Sequence, residues 1–204
     1  MLSIDKLKIR LDDWSSEYQL QVADAEILAI QGKSGVGKST LLHAIAGFVS
    51  CQSGSIAWQG KSIENQPAEQ RPVSLLFQDH NLFEHLSITQ NLKLGFGKPP
   101  PWQKITAAAK QLEIEQLLDS KPGNCSGGQR QRVALIRTLL RPEPIVLLDE
   151  PFAELDPQTR GLATDWVRQT AKEGHKTLLL VTHQDEDVER VADRCLVLNQ
   201  ATDN

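Results

Sequence analysis

Apolar residues recur along the chain in two patterns, which predict two kinds of strand. Residues 4–11 and 18–22 alternate apolar with polar side chains, as is typical of strands with only one face buried. A polar turn carrying Trp14 is expected between them, over residues 12–16. Four other segments are short and largely apolar, which is typical of strands buried on both faces of a parallel sheet: residues 27–30, 72–77, 145–148 and 177–181.

Helical patterns alternate with these strands. Helices are expected over residues 39–48, 126–140 and 157–172, and two short strands around a glycine turn over residues 53–63. The helix after Ser126 is favoured because Ser126 and Gln129 have the spacing of a capping box. Such alternation predicts an α/β fold with a parallel sheet and helices packed on it.

The stretch from about residue 79 to residue 141 has a different character. Apolar residues recur there at helical spacing, and three consecutive prolines interrupt the pattern at residues 99–101. We therefore expect a mainly helical region inserted in a single domain that covers residues 1–204, since this length suits one sizeable core.

Composition restricts the class of protein further. The chain has 22 Lys and Arg residues against 26 Asp and Glu residues, a net charge of −4, so it lacks the basic field that favours nucleic-acid binding. Its three cysteines form neither a CxxC pair nor a ligand cluster, as expected in a reducing compartment. The sequence contains no run that predicts a membrane span or signal peptide, so a cytoplasmic location is expected.

A glycine-rich segment lies between the strand at residues 27–30 and the helix that follows it. It fits the P-loop pattern GxxxxGK[ST], with Gly32, Lys33, Ser34, Gly35, Val36, Gly37, Lys38, Ser39 and Thr40. Backbone N–H groups of such a loop, the helix N-terminus and the lysine together attract phosphate. The serine after the lysine, Ser39, can offer its hydroxyl to Mg²⁺. The sequence therefore predicts a nucleotide site here.

Polar residues follow three of the predicted buried strands. Asp149 and Glu150 close one strand, His183 follows another, and Gln78 follows a third. Parallel strands bring their carboxyl ends to one edge, where ligands bind in open α/β sheets. Asp149 could hold Mg²⁺ through water, Glu150 could deprotonate the attacking water, and Gln78 could contact both. His183 could contact the terminal phosphate. The alternative is that these residues have no catalytic role and are polar only because each strand leaves the core at that point.

Residues 125–129, Cys-Ser-Gly-Gly-Gln, resemble the LSGGQ signature of ABC ATPases. The other motifs follow in that family's order: the P-loop, Gln78, the signature, Asp149 and Glu150, a D-loop at residues 154–156, and His183. The resemblance implies a P-loop NTPase fold with a RecA-like parallel core, an antiparallel β subdomain and an inserted helical subdomain. It also implies ATP and Mg²⁺ as cofactors, and a head-to-tail dimer of two copies.

The same resemblance implies how the remaining motifs bind nucleotide. One copy binds ATP with its P-loop, and the second copy covers it with its signature: Ser126, Gly127, Gly128 and Gln129. The D-loop residue Asp156 also belongs to the implied nucleotide site. The adenine is expected to stack on Trp14, whereas Tyr18 is expected to pack in a strand.

Within this family, residues 71–86, 90–92 and 149–152 are similar to the ATP-binding subunits of bacterial thiamine importers. This implies permease subunits docked near residues 79–86, a periplasmic solute-binding protein as an indirect partner, and a place at the cytoplasmic face of the inner membrane. Two alternatives stay open: an importer ATPase for another small solute, and a soluble ABC ATPase of DNA repair or translation. At residues 153 and 154, Ala-Glu replaces the more frequent Ser-Ala of the D-loop.

Overall fold

The computed structural model describes residues 1–12, 14–79, 82–96 and 99–199. Within those ranges it contains nine strands and six α-helices. In chain order they are β1 (Leu2–Leu11), β2 (Trp14–Val22), β3 (Ile27–Gly32), α1 (Lys38–Ala46), β4 (Ser53–Trp58), β5 (Lys61–Ser62), β6 (Val73–Leu76), α2 (Ile88–Lys93), α3 (Trp102–Gln111), α4 (Gly127–Leu139), β7 (Ile145–Asp149), α5 (Pro157–Glu173), β8 (Thr177–Val181), α6 (Asp185–Val191) and β9 (Arg194–Leu198).

The strands form two sheets. A four-stranded antiparallel sheet has the order β2-β1-β4-β5, and a five-stranded parallel sheet has the order β6-β7-β8-β3-β9. Every residue of β7 and β8 is buried, which agrees with the continuous apolar runs of their sequences. The predicted α/β class with a parallel sheet is confirmed.

Alternate residues of the parallel strands serve two separate hydrophobic clusters. In β7, Ile145 and Leu147 face a cluster that includes α1 and the antiparallel sheet. Val146 and Leu148 face the other cluster, which includes α2, α3, α4 and α5. This period of two is the geometry of a pleated strand. The sheet is therefore covered on both faces, with α1 and the antiparallel sheet on one side and α2, α3, α4 and α5 on the other.

Helix boundaries follow the predicted signals closely. Ser126 caps α4 through the expected capping box, since the Gln129 N–H donates to the Ser126 hydroxyl at 3.3 Å and Gln129 Oε1 accepts from the Ser126 N–H at 2.8 Å. A second capping box, between Ser87 and Gln90, begins α2. None of the helices in the described ranges has the length and apolar character needed to cross a membrane.

The turn expected over residues 12–16 is shorter than predicted, because β2 begins at Trp14. Leu11 pairs with Trp14 and Arg10 with Ser15, and three polar residues, Ser15, Ser16 and Glu17, follow Trp14 in β2. Where neither face of a strand is fully buried, the alternation of apolar and polar residues no longer marks it. Residue 13 lies outside the described residues.

Arg71 connects the end of α1 to the segment that precedes β6. The side chain is 7% exposed, and its guanidinium donates to the carbonyl oxygens of Ala44 at 2.6 Å and Ile45 at 2.9 Å, at the last turn of α1. It also donates to the carbonyls of Glu64 and Gln66. One planar cation therefore donates to four carbonyl acceptors, and at the helix end it adds to the bond that the Ala44 carbonyl accepts from the Gly47 N–H at 3.2 Å.

We expect Arg71→Met to lower the free energy of unfolding by about 2–4 kcal/mol, because it leaves buried carbonyls without their charged donor. The exposed residue Arg10 provides the control, since Arg10→Met removes the same charge without a buried acceptor. Urea unfolding of both variants measures the difference. Equal losses of stability in the two variants would contradict this account of α1.

Candidate nucleotide-binding site

The carboxyl ends of three neighbouring strands converge at one edge of the parallel sheet. Ile30 of β3 and Asp149 of β7 both pair with Val181 of β8, so the segments that follow these strands begin side by side. A cavity of about 450 Å³ lies at this edge. Its lining contains P-loop residues, Trp14 and the polar strand-end residues: Leu11, Trp14, Ser34, Gly35, Gly37, Lys38, Ser39, Thr40, Gln78, Asp149, Glu150 and Val181.

A larger cavity, of about 700 Å³, lies elsewhere, between α3 and α5. It is lined by prolines, Trp166 and the side chains of Lys104 and Lys176, and it includes no residue of the P-loop. The smaller cavity is the candidate site because it gathers the motif residues that can bind phosphate and activate water.

The P-loop folds so that its backbone surrounds its own lysine. Lys38 Nζ donates to the carbonyls of Gly32 at 2.8 Å and Lys33 at 3.0 Å. Gly37 precedes α1 with φ of 100°, a backbone conformation that L side chains rarely adopt. Val36 is buried and packs into the core instead of lining the cavity. Thus Gly32, Lys33 and Val36 build the loop, while the remaining predicted P-loop residues face the cavity.

Two aromatic residues of β2 contact the P-loop at Gly37. The Tyr18 hydroxyl donates to the Gly37 carbonyl at 2.9 Å, and burial raises the pKa of Tyr18, so the hydroxyl keeps its proton. A Cβ at Gly37 would lie 2.7 Å from Trp14 Cη2, too close for any side chain. Tyr18 packs in a strand as expected, and Trp14 lines the cavity as its predicted role in adenine stacking requires.

Asp149 is buried directly behind the P-loop. The Ser39 side chain lies near its carboxylate. Burial raises the pKa of Asp149 above its ordinary value, and the nearby Ser39 hydroxyl and the charges of His43 and Lys38 only partly offset that effect. Asp149 Oδ1 is buried without a hydrogen-bond partner among the described residues.

These oxygens fit the Mg²⁺ that the sequence motifs predict. Mg²⁺ prefers hard oxygen ligands and retains several waters, and the site offers the Ser39 hydroxyl, the Gln78 amide oxygen and the unpaired Asp149 Oδ1. The buried, unsatisfied carboxylate oxygen is the observation that supports the fit, because such an atom is costly unless a cation or water completes it.

Glu150 and His183 form the other polar pair of the site. Glu150 Oε2 lies 3.0 Å from His183 Nδ1, and the two side chains are 18% and 60% exposed. The Gln184 amide nitrogen lies 3.0 Å from His183 Nε2. Since an amide N–H can only donate, His183 Nε2 accepts that bond and Nδ1 carries the proton that is donated to Glu150. The carboxylate thus has a partner that can hold its orientation.

The backbone of Glu150 is held in an unusual conformation. Its φ is 47°, in the left-handed region that non-glycine residues seldom occupy. The Glu150 N–H donates to the Val181 carbonyl at 3.0 Å, and the Gln131 side chain donates to the Glu150 carbonyl at 3.4 Å. Strained residues of this kind concentrate at functional sites. This turn directs the Glu150 side chain away from the path of β7 and toward His183.

The signature and the D-loop aspartate lie outside the cavity. None of Ser126, Gly127, Gly128 and Gln129 lines it. Asp156 caps α5, accepting from the backbone N–H groups of Gln158 at 3.1 Å and Thr159 at 3.2 Å, and the Thr159 hydroxyl bond is the main cause of its lowered pKa. These predicted nucleotide-binding residues are therefore not brought to the P-loop of their own chain.

Comparison with known proteins agrees with this geometry. Residues 16–153 match the family described as ABC transporter. The chain belongs to the ABC transporter family. It is 43% identical over 98% of its length, and over 86% of the relative, to the thiamine import ATP-binding protein ThiQ of Vibrio cholerae. It is 45% identical to the protein of that name from Escherichia coli K12, over 89% of this chain and 80% of the relative.

Solved ABC structures share the fold. The dimeric post-hydrolysis state of the ATP-binding cassette MJ0796, bound to ADP and Pi, has a TM-score of 0.85 at 25% identity and covers 98% of this chain and 95% of that one. A bacterial Atm1-family ABC exporter with ATP bound has a TM-score of 0.86 at 29% identity, over 98% of this chain and 37% of the exporter. The chain is thus an ABC-type ATPase domain.

Sequence reasoning did not single out three residues that support the site. Tyr18 anchors the P-loop carbonyl, Gln131 contacts the turn at Glu150, and Gln184 fixes the tautomer of His183. Only Gln184 carried a signal, because it is the direct neighbour of a predicted site residue. The other two act through tertiary contacts between distant parts of the chain, which local patterns do not reveal.

We expect Asp149→Asn to raise the thermal midpoint of the ligand-free protein at pH 7. The folded pKa of Asp149 is raised, so the folded state holds the proton more tightly, and stability falls as pH rises from the ordinary aspartate pKa, about 3.9, through the folded value. The asparagine side chain carries no charge, so the variant avoids the cost of ionising a buried carboxyl group. Melting curves from pH 3.5 to pH 7.5 test this: the gain should vanish at the acid end. A variant less stable than the parent at pH 7 would contradict it.

Proposed function

We propose that this chain is the ATP-binding and hydrolysing subunit of a bacterial ABC importer whose solute is thiamine. The observation that carries the proposal is one cavity that joins the P-loop, Asp149 and Glu150. His183 does not line this cavity and reaches it only through its contact with Glu150. The named solute rests on the relatives, which are thiamine import ATP-binding proteins at 41–45% identity.

The P-loop would bind the phosphates of ATP. In the described structure Lys38 donates to two loop carbonyls, so its ammonium already lies within the loop and can exchange these acceptors for phosphate oxygens. The N–H groups at the start of α1 add partial positive charge. Trp14 would stack on the adenine, since its ring lies against Gly37 at the mouth of the loop.

Glu150 would act as the general base. A carboxylate at the edge of the cavity can accept a proton from a water molecule placed in line with the terminal phosphate. His183 would position Glu150 through the 3.0 Å contact between Nδ1 and Oε2. To contact the terminal phosphate, its Nε2 would have to release the Gln184 amide and take up a proton, because a phosphate oxygen only accepts hydrogen bonds. Gln78, which follows the neighbouring parallel strand β6, would contact the attacking water. Bound Mg²⁺, held by Ser39, Gln78 and Asp149, would neutralise charge on the phosphates.

The charge of the cavity supports a site shared between two copies. Among the described residues that line it, Lys38 is the single cation, whereas Asp149 and Glu150 are both acidic. ATP brings three to four negative charges, which such a lining would not balance. Mg²⁺ and a second helix N-terminus would supply the missing positive potential. We infer that α4 of a second copy, with its signature at residues 126–129, provides that end and covers the ATP.

The surface for the permease subunits would be an aromatic groove beside Gln78. Phe48, Phe83 and Leu94 are about half exposed, and Phe48 packs edge-on against Phe77 with ring centroids 5.2 Å apart. Phe77 in turn contacts His43 of α1, whose charge influences Asp149. Exposed apolar groups of this kind mark interaction sites. Residues 80 and 81 of the expected contact segment, 79–86, lie outside the described residues.

The aromatic groove is also the basis for the proposed location and for the indirect partner. Permease subunits bound there would hold the ATPase at the cytoplasmic face of the inner membrane. A periplasmic solute-binding protein would act on it only indirectly, through the permease. The net charge of −4 supports the expectation of no nucleic-acid partner.

We expect Glu150→Gln to reduce ATP hydrolysis by at least about 100-fold, the contribution of a general base, and to accumulate an ATP-dependent dimer. Phosphate release measures the first effect, and size-exclusion chromatography with light scattering, with and without ATP, measures the second. Glu189→Gln is the matched control, because Glu189 is exposed on α6 and should change neither result. Rapid hydrolysis by the Glu150 variant would remove it as the base.

We also expect thiamine to stimulate hydrolysis several-fold when the chain is reconstituted in vesicles with its permease and solute-binding subunits. The measurement is phosphate release with thiamine, with sulfate, with spermidine and with no solute. A response to another solute and none to thiamine would disprove thiamine as the solute while leaving the ATPase proposal intact. No hydrolysis under any condition would contradict both.

A further inference from the structure

The D-loop crosses the N-terminus of the signature helix in the same chain. A Cβ at Gly127 would collide with Glu154 Oε2 and lie 3.0 Å from Glu154 Cδ. A Cβ at Gly128 would lie 2.9 Å from the Glu154 carbonyl oxygen and 3.3 Å from Leu155 Cδ2. The Glu154 carboxylate therefore lies directly against the first residue of α4.

This carboxylate supplies a charge that α4 itself does not carry. The first turn of the helix contains no acidic residue, although acidic side chains are favoured there by the free N–H groups and the helix dipole. Glu154 reaches the same position from another segment of the chain. Its charge opposes any second anion that approaches the signature, since both would occupy the positive end of one helix.

The backbone around Glu154 is well fixed, whereas its side chain is exposed. The Leu155 N–H donates to the Phe152 carbonyl at 3.2 Å, and Arg160 donates to the same carbonyl at 3.1 Å. On the other side, Asp156 caps α5. The carboxylate can thus move away by side-chain rotation alone, without displacing the D-loop.

We propose that Glu154 is an acidic gate on the signature, which raises the ATP concentration needed to join two copies. The inference rests on the proposed function, in which the phosphates of ATP bound to one copy meet the signature of the other. In the free chain the Glu154 carboxylate occupies the end of α4. The incoming phosphate must displace it or bind beside it, and either requirement weakens the sandwich. Glu154 is a positioning residue of the binding step and takes no part in proton transfer.

The test uses the non-hydrolysing Glu150→Gln chain as the parent, so that dimerisation is measured apart from turnover. Glu154→Gln in this parent should lower the ATP concentration at half-maximal dimerisation about two- to fivefold, the range expected for a charge at a helix terminus. Sedimentation velocity against ATP concentration measures it. Glu154→Ala should act in the same direction, which separates charge from side-chain size.

Glu173→Gln is the matched control. It makes the same change of charge at the far end of α5, roughly 25 Å away at 1.5 Å per residue, and should leave the ATP midpoint unchanged. Salt provides a second readout that a purely structural role would not affect. The ratio between the midpoints of the parent and of Glu154→Gln should shrink from 50 mM to 500 mM NaCl, because the repulsion acts between solvent-exposed charges.

The outcomes distinguish this inference from the proposed function. If the parent is folded, as its melting curve shows, but never dimerises with ATP, that result would contradict the nucleotide sandwich itself. A parent that dimerises, with a Glu154→Gln midpoint equal to or higher than its own, would overturn the gate and leave the sandwich in place. A ratio that does not change with salt would also overturn the electrostatic account.

Discussion

The register of three parallel strands is the constraint on which the rest of the site depends. Asp149 and Ile30 pair with the same residue of β8, Val181, so the P-loop, the acidic pair and the histidine segment leave the sheet together. A slip of one residue would turn every side chain of a strand to the opposite face. Since β7 and β8 are buried throughout and serve two different clusters, such a slip would cost both clusters their packing. The hydrophobic core thereby fixes the position of the polar groups.

Within this frame the site retains features that lower the stability of the fold. Asp149 is buried with one oxygen unpaired, and Glu150 has a left-handed backbone at φ 47°. Each feature costs of the order of 1–3 kcal/mol in typical proteins. Surrounding contacts maintain them, in particular the bond from the Glu150 N–H to Val181 in the neighbouring strand. A cation such as Mg²⁺ would stabilise the site by satisfying Asp149 Oδ1, whereas the backbone strain at Glu150 would remain.

Most of the fold was predictable because its strands and caps are local signals. The apolar runs predicted β3, β6, β7 and β8, and the pair Ser126 and Gln129 predicted the start of α4. The motifs also led to Gln78, Asp149 and Glu150, which line the cavity with the P-loop because the carboxyl ends of parallel strands share an edge, whereas His183 does not line it. What escaped were tertiary contacts, such as Tyr18 on the P-loop and Arg71 on the end of α1, and the early start of β2 at Trp14. The two contacts join residues that are distant in sequence, so no local pattern predicts them. The start of β2 has mostly polar residues, so the alternation of apolar and polar positions does not mark it.

The signature glycines show how one sequence motif can satisfy two demands. Close approach of phosphate requires residues without side chains at the start of α4. The structure adds a demand from within the chain, because Glu154 and Leu155 occupy the space that side chains at Gly127 and Gly128 would need. At Gly128 glycine is thus required by the packing of a single copy, because the backbone carbonyl of Glu154 lies 2.9 Å from a Cβ there, whereas at Gly127 the Glu154 side chain could rotate away. The D-loop and the signature consequently form one contact surface, and a change in either segment should alter the other.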